Sequence, residues 1–502
     1  RPTTVLPKDP MNTRSGLITL AWLLFAACIT SAPAHAESLY SDLPSIGDSA
    51  GSVISPVEER KLGAAFMRSI RQSGMVLDDL EITAYLRSLG RRLATNSETP
   101  AQQFIFFVVN EPSINAFAGP GGYIGVHTGL FLASETESEL AGVLAHEIAH
   151  VTQRHLARAF EAADNISIPS MAALIAAILI GTQNADAGVA TAAIAQAGSM
   201  QYQINFTRAN EYEADRVGIQ TLANAGLDTY GMPAFFERLQ KNSRLYGSRP
   251  PEFLSTHPVT TNRIAEATSR AESYPPGERD SVDFQLMRAK MRVLTYENPH
   301  QVIDDYRQYR KRGEKADPWK QYEFALLLAA TGDKREAVGI LKTLHGKDPD
   351  RIAYRLALAE MYRKTGEAAK AVKLYEDSLE LYPGSLELMM PYAATLLEND
   401  RASDAYQLLR DSYTISDISN EKYNDPHIYK LLAQAAEATG RNAQMHGAMS
   451  QYYFLNGFTR QAIQQLQLAS RESGLTDYEN ARIQARLKEL KNLLGEEEKN
   501  KN

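Results

Sequence analysis

A single cysteine, Cys28, is all the thiol chemistry in this 502-residue chain. That excludes a disulfide scaffold and any cysteine-ligated metal cluster. Long hydrophobic runs are also missing. No uninterrupted apolar stretch reaches the ~20 residues that a membrane-spanning helix needs. Nor is positive charge in excess: 53 Lys and Arg stand against 60 Asp and Glu, for a formal net charge of −7. With the acidic residues spread along the chain, no basic stripe points to a nucleic-acid backbone. What remains, 44% hydrophobic and 23% charged residues, is ordinary globular composition. The length exceeds what one core usually fills, so two folded domains with a connector are expected.

The N-terminus reads as an export signal. Met11 and Arg14 precede an apolar stretch from about Leu17 to Ile29, and Ala34-His35-Ala36 offers a small-x-small cleavage site. Residues 1–10 precede that Met and read as upstream sequence. Cleavage after Ala36 would take the net charge from −7 to −9 and remove Cys28. A mature chain with no thiol to oxidise suits an oxidising compartment. Acylation of Cys28 is the competing reading, because Ala26 and Ala27 precede it, but Phe25 stands where an aliphatic residue is usual.

After a Ser/Gly/Pro-rich linker, a helix is expected from Val57, and a second carries Ile82, Tyr85, Leu86, Leu89 and Leu93 on one face. Phe104 to Val109 and Tyr123 to His127 read as strands, the latter following a Gly-Pro-Gly-Gly turn at 119–122. The second strand is a candidate for backbone pairing with an extended peptide. A helix is expected from about Ser134, where Ser134 and Glu137 make a capping-box pattern, and another from about Phe206 to Asn224, closed by Gly226. Between them, Met171 to Ile180 is apolar, and Ala, Gly and Gln dominate as far as Met200. That segment reads as a packed or mobile amphipathic lid.

From Pro318 the pattern becomes periodic. Gly332, Gly366 and Asp400 are 34 residues apart, as are Ala325, Ala359 and Ala393, then Ala337, Ala371 and Ala405, then Leu341, Tyr375 and Leu409. Pro349 and Pro383 keep the same interval. Small residues where two helices touch, a turn residue between them and a closing Pro are the needs of a tetratricopeptide repeat. Beyond Asp417 the register slips by six residues, then resumes at Ala433 and Gly440, and Gly457, Ala462 and Leu466 suggest further helix pairs. Such superhelices present a concave surface to another polypeptide.

The chemistry concentrates at His146-Glu147-Ile148-Ala149-His150, an H-E-x-x-H pattern in an Ala-rich helical setting. Histidines one helical turn apart share a face and can reach one metal ion. A catalytic zinc takes three protein ligands, so a third must come from elsewhere, and Glu211 in the later helix is the candidate. Asp215, one turn beyond Glu211, is placed to orient a ligand imidazole, whereas Glu213 faces elsewhere. One zinc per chain would supply Lewis acidity, while Glu147 takes the proton of the attacking water and returns it to the leaving amine. His155 lies about 180° from His146 on a continuous helix, which assigns it to packing or hydrogen bonding. His127 reads as an ordinary strand residue. His257, in Ser255-Thr256-His257-Pro258, is open to two roles: stabilising the oxyanion or filling the fourth zinc position at rest.

Asn115-Ala116-Phe117-Ala118, Gly121-Gly122, Gly129-Leu130, the HEIAH run with Arg154-His155, the Glu211/Asp215 helix and Thr256-His257-Pro258 together resemble the gluzincin family that includes HtpX and the CAAX prenyl endopeptidase. The resemblance covers about residues 57–270 and implies zinc ligation by His146, His150 and Glu211 with Glu147 as base. Those relatives are membrane-embedded. An export signal joined to repeats instead resembles the periplasmic branch that assists outer-membrane β-barrel assembly. It implies stalled or unfolded β-barrel proteins as clients, contact with the β-barrel assembly machinery, and a chaperone-like role beside proteolysis. A mainly non-proteolytic adaptor acting through its repeats is the competing reading. The fold class expected is mainly α: an α+β zincin-type metalloprotease domain followed by a tetratricopeptide-repeat superhelix. The segments are residues 1–36 (upstream residues and signal), 37–56 (linker), 57–275 (peptidase), 276–317 (connecting helices), 318–495 (repeats) and 496–502 (charged tail).

Overall fold

The computed structural model describes residues 55–159, 168–180, 207–245, 251–312, 316–413 and 425–499. The export signal, its cleavage site, most of the linker and the Ala/Gly/Gln-rich run at 181–206 lie outside the described residues.

Helix α1 (Pro56–Gln72) starts on a capping box in which Ser55 and Glu58 serve each other's backbone amides, with Pro56 at its first position. Asp79 caps α2 (Leu80–Ala94) through Ile82 N at 3.0 Å. Three short strands follow, β1 (Ile105–Val109), β2 (Ala116–Ala118) and β3 (Tyr123–His127), in the order β1-β3-β2. β1 runs parallel to β3, Ile105 facing Tyr123, and β2 runs antiparallel to it, Ala116 facing Val126. β3 is therefore paired along both edges. The expectation that Tyr123 to His127 lends its backbone to a peptide is corrected on that ground, since its hydrogen-bonding groups are already used. The outer strands are β1, bridged at Val109 to Val76, and β2, three residues long and so too short for alternation to reveal.

Short helix α3 (Thr128–Ala133) leads to α4 (Glu137–Thr152). The expected start at Ser134 is corrected too. Ser134 closes α3, its hydroxyl donating to Leu130 O at 3.0 Å, and α4 begins after Thr136. Its first amides are taken by distant groups, Glu137 N by Asp280 Oδ1 and Ser138 N by Arg279 O. A Ser-x-x-Glu spacing cannot distinguish these arrangements, because the cap is tertiary.

The peptidase part continues with α5 (His155–Ala159), α6 (Ile168–Ile180), α7 (Arg208–Asn224), α8 (Gly231–Leu245), α9 (Glu252–Thr256) and α10 (Thr261–Ala271). The apolar stretch at 171–180 is packed: Met171, Ala172, Ile175, Ala176 and Leu179 of α6 join Leu62, Phe66 and Ile70 of α1 against Phe107 and Phe117. Helices α11 (Val282–Thr295) and α12 (Pro299–Lys311) lead to the repeats.

From there the chain is paired helices: α13 (Pro318–Thr331) with α14 (Lys334–Lys347), α15 (Ile352–Lys364) with α16 (Ala368–Leu381), and α17 (Leu386–Glu398) with α18 (Ala402–Tyr413). Then come α19 (Pro426–Ala438), α20 (Asn442–Leu455), α21 (Thr459–Ala469) and α22 (Asp477–Lys499). The periodic columns acquire physical meaning here. Gly332, Gly366 and Asp400 all turn left-handed, at φ 100°, 81° and 57°, each after the first helix of a pair. All six column alanines have zero exposure, which lets paired helices approach closely. The described residues are thus mainly α, with one small sheet among them. Among the described residues, no helix is long and apolar enough to cross a membrane.

Candidate metal centre

Helix α4 is buried on every side from Glu137 to His150, which its Ala-rich sequence permits. Its acidic first turn is compensated: Tyr85 and Ser281 hydroxyls donate to Glu137, and Arg238 pairs with Glu139. α7 packs across it at Gly218, where a Cβ would lie 3.1 Å from His146 N and 2.8 Å from the Met232 Cε. That glycine allows the two backbones to approach closely enough for the first turn of α7 to reach the histidine face of α4. α9 then delivers His257 from its C-terminal end, where His257 N donates to Phe253 O at 2.7 Å.

Four donor atoms converge. His146 Nε2 and His150 Nε2 are 3.0 Å apart, and His257 Nδ1 lies 3.3 Å from His146 Nε2. Glu211 sits 3.0 Å from His257 Nδ1, 3.4 Å from His150 Nε2 and 3.5 Å from His146 Nε2. The set His146, His150, Glu211 and His257 is entirely buried. Separations of this size are those between the corners of a tetrahedron whose centre is about 2.0–2.1 Å from each ligand, the coordination distance of a small divalent cation. Glu147 stands beside them with its Oε1 3.5 Å from His257 Nε2, and neither carboxylate oxygen has a hydrogen-bond partner at good geometry.

Charge supports the same fit. Burial opposes a proton on His146, yet the Asp215 and Glu211 carboxylates outweigh it and raise its pKa to about 9. Burial carries His150 the other way, well below an ordinary histidine. Glu211 is buried as well, but His257, His146 and His150 hold its carboxyl well below the usual range. Burial pushes Glu147 up, against the pull of His257 and His146. Without an ion, a proton on His146 supplies positive charge that the buried carboxylates demand. A divalent cation would supply it directly.

Asp215 lies behind His146, its Oδ1 3.0 Å from Nδ1, although the contact is not a linear hydrogen bond. Burial opposes its charge, but His146 and Arg263 lower its pKa. Arg263 escaped the sequence reading. Buried on α10, it donates to both Asp215 oxygens at 2.7 and 2.8 Å, to Glu211 at 2.7 Å and to Pro258 O, with its guanidinium over the Phe236 ring. Glu213 is not merely a surface group, because it meets His155 Nε2 at 3.0 Å. His155 hydrogen-bonds, as expected, and besides Glu213 its partner is His150, at 2.8 Å between the two Nδ1 atoms. The helical-wheel argument fails there because α4 ends at Thr152. His127 stands apart, held by Ser113 Oγ at 2.8 Å.

Comparison with known proteins adds a family to this geometry. The profile described as Peptidase family M48 matches residues 81–271. A protein of Vibrio cholerae is 37% identical over 94% of this chain and 96% of its own length. The Escherichia coli protein named "Beta-barrel assembly-enhancing protease" is 35% identical over 92% of this chain and 93% of its own. The "Mitochondrial metalloendopeptidase OMA1" of Arabidopsis thaliana is 30% identical over 47% of this chain and 48% of its own.

Proposed function

Because the chain belongs to peptidase family M48, among the beta-barrel assembly-enhancing proteases, and is a metalloendopeptidase, we propose that its ion is zinc, held by His146, His150 and Glu211. The observation that carries this is the buried convergence of those side chains, with Glu147 beside them. When bound, the zinc supplies Lewis acidity toward a peptide carbonyl and the attacking water. Glu147, buried and raised in pKa, takes the water's proton and passes it to the leaving amine. Asp215, backed by Arg263, keeps the His146 ring oriented. The outer edge of β2 gives an extended substrate backbone a strand to pair with, close to Glu147 through Ala118.

Of the two roles open to His257, its Nδ1 position among the other three donors favours the resting fourth ligand. In that role it holds the enzyme latent until α9 withdraws. The proposed clients are unfolded or stalled outer-membrane β-barrel proteins, met in the periplasm after export, with the barrel-assembly machinery as partner and the repeats at 318–495 as the binding part. The peptidase segment at 57–275 contains the whole M48 match. The names of the full-length relatives and the export-type N-terminus support this reading.

The test is bound zinc measured together with cleavage of an unfolded β-rich protein. Glu147→Gln is expected to keep one zinc and lose cleavage, and His257→Ala to cleave faster than wild type. Zinc binding without cleavage by any form would favour a non-proteolytic adaptor, and unchanged turnover by His257→Ala would remove its latent role.

A further inference from the structure

The turn that ends α4 is built in an unfavourable conformation. Arg154 has φ 54°. A left-handed backbone is unfavourable for a residue with a side chain. Its effect is to reverse the chain, so that His155 comes back over the last turn of α4 instead of pointing away from it. His155 is buried, 1% exposed, with its Nδ1 2.8 Å from His150 Nδ1 and its Nε2 3.0 Å from Glu213 Oε2 on α7. Glu213 is half-exposed and has Arg158 4.0 Å away.

Proton bookkeeping orders this chain of groups. His150 turns Nε2 toward His146 and Glu211, so a lone pair must be there if the ring is to hold a cation, and its single proton then resides on Nδ1. His155 Nδ1 faces that proton and must accept it. Its own proton therefore sits on Nε2, where the Glu213 carboxylate accepts. The opposite assignment would put a proton on His150 Nε2, among the ligand atoms, and would set the Glu213 carboxylate against a lone pair. One arrangement satisfies all three groups.

We propose that His155, fixed by Glu213, is a positioning residue that locks His150 in the Nδ1–H tautomer and ring orientation that present Nε2 to the metal. The proposal rests on the reading of His150 as a ligand. A carboxylate bonded directly to a ligand histidine is the ordinary way to do this. Behind His146 a carboxylate stands directly, Asp215 Oδ1 at 3.0 Å from Nδ1, whereas His150 has a second imidazole inserted between itself and the carboxylate.

The experiment compares the full chain with His155→Leu, His155→Asn and Glu213→Ala, by chelator competition for zinc and by the visible spectrum of the cobalt-substituted protein. Asn places a carbonyl oxygen near the position of the missing Nδ1 and so preserves the acceptor, whereas Leu fills the space without one. We expect zinc binding to weaken roughly 10–100-fold in His155→Leu, to stay within about threefold in His155→Asn, and to weaken severalfold in Glu213→Ala. The cobalt bands should shift in the Leu variant and not in the Asn variant. Wild-type affinity and spectrum in His155→Leu would overturn the proposal, and so would equal loss in Asn and Leu, which indicates packing alone. If His155→Leu does not fold, Glu213→Ala decides, and affinity equal to wild type refutes the relay. Failure of the wild type to bind zinc, or retention of zinc by His150→Ala, would instead sink the metal reading itself.

Discussion

His127 closes β3 with no exposed surface, its Nδ1 on Ser113 Oγ. Burial lowers its pKa from 6.5 to about 4. The ring is neutral in both folded and unfolded states above pH 6.5, so its contribution is intact there. As pH falls from 6.5 toward 4, the unfolded chain takes up a proton that the folded one refuses, and stability is lost. A shift of this size corresponds to roughly 3 kcal/mol. His127→Asn, whose amide retains a donor for Ser113 Oγ while the Ser113 hydroxyl donates to Glu252, should show a correspondingly smaller loss between pH 7 and 4 in urea unfolding. Equal losses in the two proteins would show that His127 titrates normally. Arg263 teaches a different lesson at this scale. With Ile264, Ala267 and Ala271 it marks the buried stripe of α10, and a buried arginine demands a carboxylate. Their helical spacing stands in the sequence, although Arg263 was not singled out there. The partners, 48 and 52 residues earlier, were not legible, because periodicity identifies a face and not what meets it.

Single elements show where periodic reasoning holds. The H-E-x-x-H pair was readable because i and i+4 share a face whatever surrounds the helix. His155 hydrogen-bonds as expected, but the wheel that set it opposite His146 does not reach it, because α4 ends at Thr152 and Arg154 turns left-handed, and nothing in the sequence Gln153-Arg154-His155 announces that turn. In the repeats the opposite happened. Each helix pair meets the next in the same way, so the same small and left-handed residues recur, and the recurrence exposes them. Gly366 tests the left-handed column. A Cβ there meets nothing within 4 Å, so any cost of Gly366→Ala is backbone strain at φ 81°. Gly366→Ala should lose roughly 1 kcal/mol in urea unfolding, and Gly366→Asp less, because Asp tolerates this conformation better. Asp400 already occupies the equivalent position at φ 57°. Equal costs for Ala and Asp would show that something other than the left-handed turn sets the column.

At the scale of the whole molecule, the repeats touch the peptidase part through more than the connecting helices. α11 is pinned in both directions: Lys290 lies 2.9 and 2.8 Å from Asp79 and Glu81 at the start of α2, and Arg292 lies 2.8 Å from Glu323 on α13. Farther along, Arg71 donates to Leu455 O at 3.3 Å, and His427 lies 3.5 Å from Asp78. Between these contacts is a cavity of about 590 Å³, walled by Met67, Val76 and Phe107 on one side and by Leu356, Met390 and Leu431 on the other. None of this seam was legible in the sequence, since apart from Arg292 and Glu323 the paired residues are hundreds of positions apart, and they belong to no repeated column. Phe454 is its far anchor, with Arg68 of α1 4.7 Å from its ring and Arg486 of α22 4.5 Å from it. Two cation–π contacts and the loss of a half-buried ring together are worth about 2 kcal/mol or more. Phe454→Ala should therefore uncouple the two parts, so that calorimetry of the full chain resolves two transitions where the wild type shows fewer or closer ones. The lower transition should belong to the later repeats, whose core around Tyr375, Leu396, Leu409 and Ala433 is separate, whereas the peptidase core runs on through α11 into α13–α15. An unchanged melting profile would mean that the α11 salt bridges alone hold the cavity walls in place.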